Sequence, residues 1–170
     1  TAAIGYGKGN ELKLLKEIHF PNSLGLLYAA FTAFTGFKVN SGEYKMMGLA
    51  PYGRPRYVER IRQHLIRENG DGSFVMNMDY FDYLGGRRMF GDKVNELLDG
   101  PPRKPESRIT QREMDIAASI QHVTEDILLR MVKHAKELTG ASYLTMAGGV
   151  ALNCVATGRI LREGPFDDIW

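Results

Sequence analysis

A pair of adjacent glycines is the feature of this sequence with the clearest chemical potential. Gly148 and Gly149 follow residues 142–147, which predict a buried strand, and precede residues 150–162, which predict a helix. Adjacent glycines let a backbone turn tightly and approach a ligand, and the positive end of a following helix favours an anion. Asn153 is expected on the same face, one turn into the helix. The pattern is typical of a phosphate or ribosyl-phosphate site, but glycines at such turns also serve close packing of helix on sheet. Both interpretations are open, and this stretch alone slightly favours packing.

The composition is that of one ordinary globular domain. The chain has 170 residues, of which 44% are hydrophobic and 25% charged. A net charge of +2 gives no broad basic field, so we expect no nucleic-acid partner. No stretch predicts a membrane span or a signal peptide. The single cysteine, Cys154, excludes an internal disulfide framework and predicts a reducing, cytoplasmic location. The missing initiator Met and a strand-like pattern that only begins at 165–170 predict a fragment of a longer chain.

Hydrophobic periodicity predicts an α/β domain. A long helix begins at a capping box formed by Thr110 and Glu113 and ends at Gly140. It leads into the strand at 142–147, so parallel strands covered by helices are expected. Residues 85–108 predict a surface connection with one helical turn at 94–98. The other predicted strands are residues 2–6, 11–18 and 73–78, and the other predicted helices are residues 24–35 (capped by Ser23), 43–50 and 56–68.

The other polar residues that could take part in chemistry give weaker signals. The four histidines show no metal-ligand spacing, so we assign no metal site to the chain. Cys154 lies between apolar neighbours, which predicts a buried structural thiol. Glu43 and Lys45 follow a turn and could reach into a cleft, but their chemistry alone favours an exposed charge pair. No pair of carboxylates has the spacing of an acid/base pair.

Four segments, taken together and in this order, resemble one family. Residues 42–53 (Gly-Glu-Tyr-Lys-Met-Met-Gly-Leu-Ala-Pro-Tyr-Gly) and 147–154 (Ala-Gly-Gly-Val-Ala-Leu-Asn-Cys) are the most specific of them. Residues 20–28 (Phe-Pro-Asn-Ser-Leu-Gly-Leu-Leu-Tyr) and 164–166 (Gly-Pro-Phe) are the other two. The chain resembles the O-carbamoyltransferases of the nodulation-protein and antibiotic-tailoring type, and the segments extend over most of its length.

The resemblance implies an α/β fold that is part of an actin-like ATPase (ribonuclease H-like) lobe, with a mixed sheet covered by helices. Residues 1–170 would then be an incomplete nucleotide-binding carbamoyltransferase domain. In such enzymes carbamoyl phosphate and ATP give a carbamoyl-adenylate. The carbamoyl group then passes to a hydroxyl of a sugar or an antibiotic. A nodulation factor is the acceptor that the nodulation-type resemblance favours.

The resemblance also implies site residues. Gly148, Gly149 and Asn153 match the nucleotide-binding turn of the family. Glu43 and Lys45 lie where relatives line the substrate cleft. The weaker candidates of the resemblance are Ser23 and Gly25.

The sequence departs from the family pattern in what it lacks. Family members carry an upstream histidine pair for a metal, a downstream glycine-rich segment with a metal-binding Asp, and a C-terminal domain that makes the adenylate. None is found in these 170 residues. We therefore expect a divalent metal in the parent protein, with ligands outside this chain, and no activity of the fragment alone. The alternatives are a phosphotransferase of the same superfamily and a non-catalytic nucleotide-binding module.

Overall fold

One long helix organises the chain. The computed structural model describes all 170 residues, and in it α5 spans Gln111–Thr139. The predicted capping box is confirmed, because the Thr110 N–H donates to Glu113 Oε2 at 2.9 Å. Gly140 closes the helix in the left-handed conformation, with φ of 62°. A buried row that includes Ile116, Ile120 and Ile127 makes α5 the centre of the hydrophobic core.

Helix α1 (Leu24–Phe34) packs into that core on most of its faces, because nearly all of its residues are apolar. The predicted cap is confirmed, because Ser23 Oγ accepts a hydrogen bond from the Leu26 N–H at 3.3 Å. Helix α2 (Glu43–Leu49) follows after a loop and continues into a 3₁₀ turn, Ala50–Tyr52. The start of α1 and the start of α2 thereby come to the same side of the molecule, where the groove described below opens.

The strands form three separate two-stranded sheets. β1 (Ala2–Lys8) and β2 (Glu11–Ile18) make an antiparallel hairpin, and β5 (Tyr143–Leu144) pairs in parallel with β6 (Asp168–Ile169). The predicted parallel pairing is therefore confirmed. The prediction of one mixed sheet through these residues is wrong, because no strand joins one pair to another.

The sequence pattern predicts one continuous helix at 56–68, and this prediction is wrong. A short helix α3 (Val58–Arg60) passes into a π-helical turn, Ile61–Leu65, and the chain then becomes β3 (Ile66–Glu68). β3 pairs antiparallel with β4 (Phe74–Met76). The β-branched Ile66 favours the extended backbone, and its burial in the core stabilises the strand.

The connection at 85–108 contributes to the core, which its poor patterning does not predict. The predicted helical turn is confirmed as α4 (Val94–Leu97). Val94 and Leu98 are fully buried, and the Phe90 ring stacks on Phe81 with 5.0 Å between centroids. Phe90 also meets the edge of Phe31 in α1 at 5.3 Å. This segment therefore covers the side of α1 with aromatic packing.

Candidate functional site

A groove of about 1460 Å³ opens between the β1–β2 hairpin, the start of α1, the start of α2 and the glycine turn. The structure brings six of the seven predicted site residues to this groove. Those six are Ser23, Gly25, Glu43, Gly148, Gly149 and Asn153. Lys45 is exposed and does not line the groove.

The glycine turn is an open wall of the groove. Gly148 has φ of +104°, a conformation that side chains rarely adopt. A Cβ added at Gly148 or at Gly149 would meet no other heavy atom within 4 Å. Neither glycine is therefore needed for close packing of a helix. This geometry favours the ligand interpretation of the turn over the packing interpretation.

The elements around the turn differ from those that the sequence predicts. The strand is only two residues long, and the Tyr143 side chain is 73% exposed, so the buried strand at 142–147 is wrong. A 3₁₀ turn, Gly149–Leu152, follows the glycines, and α6 (Cys154–Glu163) begins only after it. The strand has a partner on one side only, and this leaves its other edge and much of its surface uncovered.

Because α6 begins later than predicted, Asn153 lies at the start of the helix and not one turn inside it. It is the N-cap of α6. Its Oδ1 accepts from the Ala156 N–H at 3.1 Å, and its side chain is hydrogen-bonded to Gln121. Only 8% of Asn153 is exposed. Most of its hydrogen-bonding capacity is therefore used inside the protein.

Glu43 shapes the loop that precedes α2. Its Oε1 accepts from the Asn40 N–H at 2.8 Å, and its Oε2 accepts from the Gly42 N–H at 3.1 Å. Asn40 has a positive φ of 68°, and the contact with Glu43 supports this uncommon conformation. Glu43 forms no ion pair with Lys45. The exposed charge pair that the chemistry of the sequence favours is therefore wrong, because the carboxylate caps backbone groups.

Gly25 places the start of α1 against the glycine turn. A Cβ on Gly25 would lie 3.4 Å from Val150 Cγ2, inside the 3₁₀ turn. The neighbouring Ser23 hydroxyl is engaged in capping α1. Two of the segments that carry the family resemblance are thus packed on each other, and a methyl group at position 25 would make an ordinary van der Waals contact with Val150.

The sequence does not single out Tyr28, which lines the groove, or Gln121, which lies behind it. The Tyr28 hydroxyl donates to Gln121 Oε1 at 2.9 Å, and both residues are buried. Burial raises the pKa of the Tyr28 phenol well above its usual range. No signal in the sequence indicates this burial, because successive residues of a helix point about 100° apart and Gln121 therefore lies off the apolar stripe that contains Ile120.

Cys154 is exposed, so the prediction of a buried thiol is wrong. The residue is the first of α6, and the preceding Leu152 is 81% exposed. The thiol lies 3.9 Å from Met47 Sδ at the edge of α2. We expect the folded protein to react with one equivalent of an aromatic disulfide reagent, followed by thiolate release. Reaction only after denaturation would contradict the exposure.

No group of three or more His, Cys, Asp or Glu side chains is arranged to hold a metal ion. We therefore assign no metal ligand to these residues and derive no step through a metal. None of the helices has the length and the apolar character needed to cross a bilayer.

Comparison with known proteins identifies the family. Residues 2–170 match the family model described as the carbamoyltransferase N-terminus. An uncharacterised protein of Synechocystis sp. is 58% identical over the whole chain, which covers 28% of that protein. The nodulation protein NolNO of Sinorhizobium fredii and the nodulation protein NolO of Bradyrhizobium diazoefficiens are each 34% identical over the whole chain, which covers 23% and 29% of them. The chain thus spans about a quarter of the length of these relatives. The match to the family model confirms the resemblance carried by residues 42–53 and 147–154, and it shows that this chain belongs to the carbamoyltransferase family, in its N-terminal region.

Proposed function

We propose that this chain forms one wall of the nucleotide site of an ATP-dependent O-carbamoyltransferase. The observation that carries the proposal is the open glycine turn in a groove that also holds the start of α1 and the start of α2. Its lobe would have the actin-like ATPase fold, completed by parts of the parent protein outside these residues. The parent protein's activity, substrates and acceptor all belong to this proposal.

The backbone of the turn is suited to an anion. The N–H groups of Gly148, Gly149 and Val150 donate to no other group of the chain. Successive free N–H groups beside a glycine with positive φ are the arrangement that binds phosphate oxygens in many nucleotide sites. Because no Cβ covers the glycines, a phosphate could approach the backbone directly.

The proposed reaction has two stages. Water first hydrolyses carbamoyl phosphate to carbamate and phosphate, and a carbamate oxygen then attacks the α-phosphorus of ATP, which gives a carbamoyl-adenylate and releases pyrophosphate. A hydroxyl oxygen of the acceptor then attacks the carbamoyl carbon, and AMP leaves. The acceptor that we propose is a sugar-type hydroxyl such as that of a nodulation factor, which the names of two relatives support. The role of this chain is to bind and orient the nucleotide.

The test uses the full-length protein that contains this chain. We expect pyrophosphate release that depends on ATP and on carbamoyl phosphate, and carbamoylation of one member of a panel of hydroxylated acceptors. Formation of ADP with a sugar and no carbamoyl phosphate would instead support a phosphotransferase. Nucleotide binding with neither reaction would support a non-catalytic binding module.

Substitution of the two glycines tests the turn itself. Gly149→Ala adds a methyl group to the open wall without backbone strain, so we expect ATP affinity to fall about tenfold, or about 1.4 kcal/mol, with unchanged thermal stability. Gly148→Ala forces a side chain into positive φ, and we expect an added loss of stability of about 1–2 kcal/mol. ATP dissociation constants and melting temperatures of the full-length variants check both.

Gly85→Ala is the matched control for the turn. Gly85 lies in a loop that does not line the groove, and a Cβ there would also meet nothing within 4 Å. Its ATP affinity should equal that of the wild type. Equal affinities for Gly149→Ala and Gly85→Ala would remove the glycine turn from the nucleotide site.

A further inference from the structure

Three buried polar side chains form a connected set of hydrogen bonds at the base of the groove, which two of them, Tyr28 and Asn153, line. Tyr28, Gln121 and Asn153 are 6%, 5% and 8% exposed. Gln121 Oε1 accepts from the Tyr28 hydroxyl at 2.9 Å and from Asn153 Nδ2 at 2.9 Å. Gln121 Nε2 donates to Asn153 Oδ1 at 3.1 Å and to Glu125 Oε1 at 2.8 Å. Both acceptor positions and both donor hydrogens of the Gln121 amide are thereby used.

The orientation of this set is determined by the backbone. The Ala156 N–H can only donate, so the atom of Asn153 that faces it must be the oxygen Oδ1. Asn153 therefore presents its Nδ2 group to Gln121, and Gln121 must answer with its oxygen. The backbone N–H of Asn153 donates in turn to the carbonyl of Val150 at 3.0 Å, inside the 3₁₀ turn. Gln121 is thus connected to the glycine turn through a single residue.

Only an amide of this length fills the position. A carboxylate at 121 would accept from Tyr28 and Asn153 but could not donate to Asn153 or to Glu125. An apolar side chain of the same size would leave the buried amide of Asn153 and the hydroxyl of Tyr28 without their partners. Either change would remove the hydrogen bond that Gln121 donates to Asn153 Oδ1, the oxygen that caps α6, and would weaken the hold on the turn that precedes α6.

We propose that Gln121 is a positioning residue that holds the glycine turn against α1 and thereby sets the affinity of the groove for nucleotide. The proposal rests on the proposed function of the groove. It assigns Asn153 a structural role: it transmits the position of Gln121 to the turn. It also explains why α1 carries a tyrosine at position 28, whose hydroxyl anchors the same amide from the opposite side.

The first test measures hydrogen exchange and ATP affinity in the full-length Gln121→Met variant. We expect faster exchange of the amides at 148–156 and an ATP affinity at least about tenfold weaker, or about 1.4 kcal/mol. Wild-type exchange at 148–156, or faster exchange with wild-type ATP affinity, would overturn the proposal. If the wild-type protein binds no ATP, the proposed function fails, and exchange alone then decides whether Gln121 holds the turn.

The second test uses Gln121→Glu and stays informative if the methionine variant does not fold. At neutral pH the new carboxylate lacks a donor and lies beside Glu125, so ATP affinity should fall. Protonation at lower pH restores one O–H donor, so affinity should recover towards the wild-type value as the pH is lowered. The charged and titratable groups around this position are Tyr28 on α1, Glu43 on α2, Glu125 on α5, and Cys154 and Arg159 on α6.

Wild type and Gln63→Glu, titrated in parallel, separate the response of position 121 from that of the surrounding groups. Gln63 is exposed and outside the groove, so its variant should follow the wild-type pH profile. Acid recovery that is confined to Gln121→Glu supports the proposal. A Gln121→Glu profile parallel to wild type would overturn it, because ATP affinity would then not depend on the charge and hydrogen-bonding capacity of residue 121.

Discussion

Replacing Gly53 with alanine is expected to destabilise the domain by about 3 kcal/mol or more, because the new methyl group overlaps a helix backbone. A Cβ at this position would lie 1.9 Å from the Met114 carbonyl oxygen and 2.6 Å from the Asp115 nitrogen. These atoms belong to the first turns of α5 and cannot rotate aside as a flexible side chain would. The chain at 50–53 and α5 would have to separate.

The separation would also break the hydrogen bonds that join the two elements. The Arg54 N–H donates to Asp115 Oδ1 at 2.8 Å, and this carboxylate also accepts from Gln111 Nε2 at 2.8 Å. The Asp115 side chain is only 4% exposed, so loss of the Arg54 donor would leave a buried carboxylate with Gln111 as its remaining close hydrogen-bond donor. The end of α2, and the groove wall that α2 provides, would move with residues 50–53.

Gly48→Ala is the matched control within the same segment. Gly48 lies inside α2, and a Cβ there meets nothing within 4 Å, so alanine should stabilise the helix by about 0.5–1 kcal/mol. Melting temperature and hydrogen exchange of residues 111–139 in the full-length protein measure both variants. Equal stabilities for the two variants would contradict the close approach of Gly53 to α5.

These two glycines show which parts of the fold can be read from sequence. The predicted end of α2 near residue 50 is confirmed, because the signals that stop a helix, here Pro51 and Gly53, are local. The capping box at Thr110 and Glu113 is local in the same way. The contact of Gly53 with Met114 joins residues that are far apart in the sequence, so nothing near Gly53 indicates it. The sequence alone therefore predicts the turn, but it does not show why the last residue of the turn must be glycine.

The candidate site follows the same division. The glycines at 148 and 149 were predicted from their own types and order, and the structure places both in the groove. The predicted helix begins at residue 150, four residues before the start of α6 at Cys154, because apolar periodicity cannot separate a 3₁₀ turn from the first turn of a helix. Because α6 begins later, Asn153 is its N-cap. The hydrogen bond of Asn153 with Gln121 joins residues far apart in the sequence, so no local pattern predicts it.

Arg159→Met is the second substitution for which a large loss is expected, about 3 kcal/mol at neutral pH, because it removes one partner from partly buried charges. Arg159 lies on α6, and its side chain is 22% exposed. It donates to Asp126 Oδ1 at 2.8 Å and to Glu163 Oε2 at 3.0 Å, and it lies 3.5 Å from Glu125. Without Arg159, the Glu125 and Asp126 carboxylates would face each other's charge with less compensation.

The interaction extends beyond one pair, so its loss should be felt by several elements. Asp126 Oδ2 also accepts from Arg62 Nη2 at 2.7 Å, and Arg62 Nε donates to Glu68 of β3 at 3.2 Å. Asp126 thus joins α6 to the β3–β4 hairpin across α5. Because α6 begins at the Asn153 cap, a weaker hold on α6 should also loosen the glycine turn. Exchange of the amides at 148–163 should be faster in the variant.

The pH dependence tests whether Arg159 acts through its carboxylate partners, among which Asp126 has a shifted pKa. Burial of Asp126 raises its pKa, but the hydrogen bonds from Arg159 and Arg62 outweigh burial and leave the pKa below its usual value. A lowered pKa in the folded state contributes stability above the unfolded pKa, about 3.9, and this stability is lost as the pH falls through the folded value. The stability difference between wild type and Arg159→Met should therefore be constant above about pH 5 and shrink below about pH 4.

The control for Arg159→Met is Arg88→Met, which removes an arginine from an exposed pair. Arg88 donates to Asp92 at 2.7 Å, but the two side chains are 61% and 76% exposed, so solvent replaces the interaction and the melting temperature should not change. Thermal unfolding of both full-length variants between pH 3.5 and 7.5 makes the comparison. If Arg159→Met were as stable as Arg88→Met at neutral pH, water would be solvating Glu125 and Asp126 well enough without the guanidinium. The ion pairs of Arg159 would then add nothing measurable to the free energy of unfolding of the domain.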